Sequence, residues 1–285
     1  MIILSRYSEI GLKSTPVRTK FENRLKENML AMLAYDGIEA LVTKRGARMY
    51  IESSDMDGAI ASLRKVFGIA SLSIAETCPS KMEDICELAA RYSRDMINPG
   101  QSFAVRARRE GNEHPFTSME IGKEAGSAIF LANEGLKVDL TDPDVVFYIE
   151  VRNNMAYIFN SYVRCHAGLP LGSQGKVIAE VDDVRGIVSA WLMMKRGCRT
   201  YVRTSIDVSL LKGYDPNLKV IDGDDVPNNI LGIVKGTSFD NTEGLDVTST
   251  DLPVYFPTIG MTDERVNEIY EILKKENGYP FKRMG

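Results

Sequence analysis

Between Phe103 and Arg109 apolar and polar positions alternate: Phe103, Val105 and Ala107 against Arg106 and Arg108. A period of two predicts a strand with one buried face, leaving Arg106 and Arg108 together on the other. Glu110 to Pro115 is a polar loop. Thr117 to Gly126 then reads as a helix, opened by Thr117 or Ser118, with Glu120 placed as in a capping box. Gly122 and Gly126 lie four apart, a small-residue face that suits close backbone approach. Val145 to Arg152 and Met155 to Phe159 read as strands joined at Asn153-Asn154.

The same reading extends to the amino terminus. Ile2 to Leu4 is a short strand, followed by a loop from Tyr7 to Ser14. Phe21, Leu25, Met29 and Met32 recur at helical spacing after Pro16 and stop before Gly37. Ile38 to Thr43 and Ala47 to Ile51 are two strands about a Lys44-Arg45-Gly46 turn. Ser53 or Ser54 is expected to cap a helix carrying Ile60, Leu63, Val66 and Phe67, with a strand from Ile69 to Ile74 after it. The order β-α-β-β-α-β is the ferredoxin-like arrangement. Ser80 and Glu83 suggest a second capping box, starting a helix that carries Ile85, Leu88, Ala89, Tyr92 and Met96. Gly168 to Gly175 is glycine-rich and reads as a boundary. Beyond it, Ile187 to Gly197 is a helix apolar almost all round and so buried. Tyr201 to Thr204 and Ile230 to Val234 are strands, with a polar loop from Lys212 to Asn229 between them. Thr262 caps a last helix on which Val266, Ile269 and Leu273 share a face.

Charge changes the picture. The net charge is −4, which taken alone speaks against a nucleic-acid partner. Residues 1–26, however, hold six basic side chains against two acidic ones, whereas residues 175–285 hold fourteen against seventeen. A locally basic surface on an acidic protein is therefore expected at the amino-terminal end. The four cysteines, at 78, 86, 165 and 198, form no CxxC pair, which fits a reducing cytoplasm rather than a zinc site or disulfide framework. No apolar run reaches the roughly 20 residues of a membrane span, and the first residues do not read as a signal peptide.

The runs FAVRARR, HPFTSMEIGKEAGSAI and KVDLTDPDVVFYIEVR resemble the THUMP domain of tRNA 4-thiouridine synthetases. The phrase YSEIGLKS and the helix carrying Arg18 and Phe21 resemble the small amino-terminal domain of the same enzymes. AWLMMKRG and LPVYFPTIGM are similar to parts of their catalytic domain. The resemblance implies a ferredoxin-like domain over residues 1–76, a THUMP RNA-binding domain over 77–170 and a reduced Rossmann-like PP-loop-type α/β domain over 171–285. It implies tRNA, held by its acceptor end, as the partner. Further candidate partners are a sulfur-delivery or ATP-activating protein and a second copy of the chain; no membrane is implied. Phosphate contacts are expected from Lys13, Arg18, Lys20, Arg106, Arg108 and Arg109.

The sequence departs from the family where its chemistry is expected. The family's PP-loop is an SGGxDS motif whose glycines expose amides to phosphate at a helix amino terminus. At that place this chain has Val181-Asp182-Asp183-Val184-Arg185-Gly186, with aspartates at both glycine positions. Gly285 is reached before any counterpart of the family's catalytic cysteine. The expectation is thus a tRNA-binding THUMP protein with a degenerate nucleotide loop and no ATP or magnesium of its own. The alternative is a sulfurtransferase acting in 4-thiouridine formation, with a partner supplying ATP activation or sulfur. Other chemistry is weakly signalled. Cys198 reads as a small buried hydrophobe. Adjacent Cys165 and His166 rarely give nucleophile–base geometry. His114 lies in a loop, Asp139, Asp142 and Asp144 read as turn chemistry, and Asp222-Gly223-Asp224-Asp225 lacks the rest of a calcium loop. No catalytic residue and no metal ligand is assigned.

Overall fold

In a computed structural model the chain forms two β-sheets with their helices; residues 1–7, 9–111, 114–222, 226–241 and 251–278 are described. The first half runs β1 (Ile2–Arg6), α1 (Thr15–Tyr35), β2 (Ala40–Arg45), β3 (Arg48–Ser53), α2 (Met56–Leu63) and β4 (Ser71–Pro79). Strand order β2-β3-β1-β4, all antiparallel, is the ferredoxin-like sheet. The chain continues through α3 (Met82–Ser93), β5 (Ser102–Arg109), α4 (Ser118–Ala132), β6 (Lys137–Val138), β7 (Val145–Arg152), β8 (Met155–Phe159) and β9 (Val163–Arg164).

One long strand joins these two halves. Ser71 to Ala75 of β4 pair with β1, and Glu76 to Pro79 pair with β8. The path β2-β3-β1-β4-β8-β7-β5-β6 is therefore a single sheet, with β9 added on β4. Side-chain alternation sorts it into two faces. Ile3, Met49 and Ile51 pack beneath α1 and α2, while Phe103, Phe147, Ile149, Val151, Ala156 and Ile158 pack beneath α3 and α4. Leu4, Tyr50, Tyr157 and Phe159 form a separate cluster on the face away from the helices.

The last part comprises β10 (Lys176–Val181), α5 (Val184–Lys195), β11 (Arg199–Thr204), α6 (Ser209–Lys212), β12 (Lys219–Val220), β13 (Ile230–Lys235), β14 (Val254–Tyr255) and α7 (Asp263–Gly278). Its strands are all parallel, in the order β12-β11-β10-β13-β14. The order reverses at β10, which makes this a Rossmann-like sheet with a switch point beside that strand. Phe67, just beyond α2, is buried in this core against Trp191 and Tyr214, so the ferredoxin-like half contributes to it.

Local expectations are corrected at several points. The β2–β3 turn is Gly46-Ala47, because Arg45 and Arg48 are already paired; Gly46 adopts φ +58, which glycine accepts without strain. Asp55, and not Ser53 or Ser54, caps α2, accepting a hydrogen bond from the Gly58 amide at 2.8 Å. The residue before α3 is Lys81 and no side chain caps that helix, so Ser80 and Glu83 make no capping box. Thr117 and Glu120 do make one on α4, which runs on to Ala132. A Cβ at Gly122 or Gly126 would lie 3.9 or 3.8 Å from Val105 atoms, ordinary contact, so close approach is not what places these glycines. The segment 212–229, expected as loop, holds the short β12.

Candidate nucleic-acid interface

The sheet face away from the helices carries an arginine cluster built by alternation. On β1, Leu4 and Arg6 share this face; on β3, Arg48 and Tyr50; on β7, Tyr148, Glu150 and Arg152; on β5, Arg106 and Arg108. Glu150, 4% exposed, is the hub. Arg6 donates to its Oε1 through Nε at 3.1 Å and Nη2 at 2.8 Å. Arg152 Nε donates to Oε2 at 3.1 Å, and Arg48 Nη2 lies 3.6 Å from the same atom. Arg6 also lies over the rings of Phe159 and Tyr162, 4.8 and 4.6 Å from their centroids. Burial alone would raise the Glu150 carboxyl; the charge and hydrogen bonds of Arg6, then Arg48 and Arg152, hold it below its ordinary value. Burial lowers the Arg48 guanidinium. Glu150 faces three guanidinium groups, and Glu110 also pairs with Arg152 Nη1, so with Arg106 and Arg108 the face is locally cationic.

Arg106 and Arg108 belong to this face, opposite Tyr148 and Glu150 in the β5–β7 register. Both are exposed, and Arg106 Nη2 donates to the Leu140 carbonyl at 2.6 Å. Arg109 is turned away, half-buried, with Nη1 on the His114 carbonyl at 3.0 Å. β6 pairs only with Ser102 and Phe103, so it leaves β5 from Ala104 onward unpaired on that side. A groove of about 1,210 Å³ runs between that edge and α4, lined by Arg106, Arg108, Lys123, Met119, Phe130 and Leu131, among others.

Lys13 just before α1 and Arg18 and Lys20 in its first turns are apart from the β5 arginines, so the six expected phosphate contacts form two groups. Lys13 and Lys20 are exposed. Arg18 lies 3.8 Å from buried Glu22, which also holds Lys44 and the Tyr7 hydroxyl. Arg6, Arg48 and Arg152 were not singled out in the sequence. Their signal was the alternation in Arg48-Met49-Tyr50 and Tyr148-Ile149-Glu150-Val151-Arg152, read for the core and not for its charged side.

The second region is the switch point. The loop Val181–Gly186 leaves the carboxyl end of β10, where ligands of such sheets sit. Asp183 caps α5, its carboxylate taking the Gly186 amide at 2.7 Å. Arg185 is 8% exposed. Its Nη1 donates to the Thr237 and Thr258 carbonyls at 3.3 and 2.9 Å, and its Nη2 to the Met261 carbonyl at 3.1 Å and Asp263 Oδ1 at 2.6 Å. Ser189 and Thr258 hydroxyls meet at 2.8 Å beneath it. The Gly236 backbone lies against Gly186 so tightly that a Cβ there would collide with it. Protein groups thus engage the Gly186 amide and both terminal nitrogens of Arg185.

Reactive groups elsewhere are quiet. Burial raises all four cysteine thiols, Cys78 to about 11 and Cys165 to about 12, so none is a ready thiolate. His166 points away from chemistry with Cys165: its Nε2 lies 2.7 Å from Glu276, beside Tyr214 and Arg64. Among the described residues no three His, Cys, Asp or Glu side chains converge as a metal cluster, and no helix is long and apolar enough to cross a membrane. Gly223 to Asp225 of the acidic loop lie outside the described residues.

Comparison with known proteins matches residues 2–73 to the ThiI ferredoxin-like domain and residues 79–160 to the THUMP domain. The chain carries a ThiI ferredoxin-like domain followed by a THUMP domain. A probable tRNA sulfurtransferase of Methanosarcina acetivorans is 39% identical over 202 residues, covering 69% of this chain and 48% of that protein. The chain spans about half the length of the curated relatives it matches first. The crystal structure of PH1313 from Pyrococcus horikoshii superposes with a TM-score of 0.83 at 29% identity, covering 96% of this chain and 99% of that one. A 4-thiouridine synthetase, solved with RNA and bound ATP, superposes with a TM-score of 0.78 at 21% identity over 99% of this chain and 88% of that one, so it shares the fold. The ferredoxin-like, THUMP and Rossmann-like parts thus follow the order of that enzyme.

Proposed function

We propose that this chain is a tRNA-binding protein of the tRNA sulfurtransferase type, acting in 4-thiouridine formation with a partner that supplies ATP activation or sulfur. Its THUMP domain and its likeness to proteins named probable tRNA sulfurtransferase support the substrate class. The observation that supports the need for a partner is Arg185, whose two terminal nitrogens at the switch point donate to three backbone carbonyls and to Asp263. With Asp183 on the Gly186 amide, the loop presents carboxylates where a phosphate would bind. RNA affinity then rests on Lys13, Lys20, Arg106 and Arg108, with Arg18 and Arg109 contributing less because Glu22 and the His114 carbonyl engage them. The division into residues 1–76, 77–170 and 171–285 is kept, with Phe67 crossing it.

The test is a thiolation assay. The purified chain, tRNA, ATP, magnesium and sulfide form no 4-thiouridine, and added extract of the source cells restores it, read by near-ultraviolet absorbance of the tRNA. Thiouridine formed by the chain with ATP and sulfide alone contradicts the reading.

A further inference from the structure

A second cationic site lies where α1, the glycine-rich connector and the amino-terminal edge of the parallel sheet meet. This cavity, about 420 Å³, is lined by Arg24, Gly172, Gly175, Lys176, Arg199, Thr200, Tyr201, Asn217 and Lys219. Four of these side chains are cationic and none is acidic. The parallel sheet places them: Lys176, Arg199 and Lys219 are the first residues of β10, β11 and β12, so three adjacent strands each begin with a positive charge at one edge. The site is remote from the switch point, which lies at the carboxyl end of β10.

Arg199 is set for an anion. Its Nη1 donates to both oxygens of buried Asp215, at 2.7 and 2.9 Å, which fixes the guanidinium plane. Its Nε and Nη2 have no acceptor among the described residues and lie near Gly172, where a Cβ would be 3.7 Å from each. Gly172 and Gly175 take φ +80 and +91, so the connector bends around the cavity in a conformation that glycine adopts readily. Asn28 of α1 donates to the Leu171 carbonyl at 3.1 Å and pins the connector to that helix. Arg24, at the rim, pairs with exposed Glu27 at 2.9 Å. It stands one turn after Lys20, so the cavity continues the basic side of α1 toward the parallel sheet.

We propose that this cavity binds a backbone phosphate of the bound tRNA, with Arg199 Nε and Nη2 and the Lys176 and Lys219 ammonium groups as its donors. This rests on the reading that the chain binds tRNA. An RNA strand fits better than a small free anion because Arg24, which lines the cavity, lies one helical turn from exposed Lys20, so a backbone could run from one to the other. Its occupant bridges the ferredoxin-like half and the parallel sheet, so RNA binding here fixes the two relative to each other.

The experiment is tRNA binding by the full chain across a salt series, read by fluorescence anisotropy. The Lys176→Ala/Lys219→Ala variant is compared with Lys176→Arg/Lys219→Arg, with melting temperature as a folding control. Each lost phosphate contact lowers the slope of log affinity against log salt by about 0.7 to 0.9. The alanine pair is expected to lower it by about 1.5 and the arginine pair to keep it. A wild type that does not bind tRNA overturns the functional reading itself. A wild type that binds, with an unchanged slope in a folded alanine pair, overturns the phosphate site alone. Titration of inorganic phosphate at constant ionic strength separates the sources: saturable binding lost in the alanine pair, with the tRNA slope unchanged, assigns the cavity to a small anion and overturns the proposal.

Discussion

Arg6 and Glu150, 144 positions apart in sequence, meet through two hydrogen bonds at 3.1 and 2.8 Å. One comes from the ferredoxin-like half and the other from the THUMP half, and β4 already joins the two as one sheet. Arg48 from the first half and Arg152 from the second complete the cluster. Removing the shared carboxylate leaves Arg6 and Arg48 without a counter-charge on a largely buried surface, while Arg152 keeps Glu110. Glu150→Ala is therefore expected to destabilise the chain by about 3–5 kcal/mol, as when one partner of a buried ion pair is removed. Chemical denaturation measures this. A loss under about 1 kcal/mol, the value of an exposed pair, contradicts the hub.

The same carboxyl predicts a pH dependence. Its folded pKa is depressed, so the folded state binds this proton less well than the unfolded chain. The stabilisation is complete above the ordinary carboxylate value of about 4.3 and is lost as pH falls through the lower folded value. Glu276, held low mainly by its hydrogen bond to His166 against the effect of burial, adds a term of the same sign. Denaturation midpoints from pH 7 to pH 3 should fall less steeply in Glu150→Gln than in wild type. Equal steepness contradicts the assignment.

Phe67 couples the halves through packing rather than charge. It is 1% exposed and stacks on Tyr214, with centroids 5.8 Å apart, and meets Trp191 edge-on at 5.6 Å. Phe67→Ala should cost about 3–5 kcal/mol as a large-to-small core change. Limited proteolysis should then cut first in the 168–175 connector, which the Leu169 and Gln174 amides tie to the Lys195 and Gly197 carbonyls at the end of α5. Unchanged stability and cleavage would show that the parallel sheet does not depend on this side chain.

Arg185→Ala strips its donors from four protein acceptors, three of them carbonyls. Unfilled buried acceptors predict a loss of roughly 2–4 kcal/mol, read as a lowered denaturation midpoint. Calorimetric titration of wild type with ATP and magnesium, with and without tRNA, is expected to give no heat of binding. Micromolar ATP affinity in wild type that disappears in Arg185→Ala would make this side chain an anion ligand, contrary to its geometry.

The legible parts of the sequence were those that local periodicity controls. Period two placed β5, β7 and β8, Asn153 took the positive φ of the expected turn, and Thr117 with Glu120 capped α4 as read. β10 was not read as a strand, because Val177-Ile178-Ala179 is buried on both faces of a parallel sheet and shows no alternation. Asp55 was overlooked as a cap because two serines preceded it, and only the backbone decides which side chain reaches the Gly58 amide. Arg6, Arg48 and Arg152 come from three separate strands. Their convergence on Glu150 is set by strand order, which the order of residues alone does not give.

On the proposed function, tRNA is held electrostatically by the basic surfaces of the ferredoxin-like and THUMP halves, and the salt dependence of tRNA affinity tests this most directly. Wild type should bind tRNA with an affinity that falls steeply with salt, and Arg106→Ala/Arg108→Ala should lower the slope by about 1.5 to 2 while keeping the fold. A tRNA affinity and slope unchanged when Arg106, Arg108 and Arg109 are all alanine would contradict it.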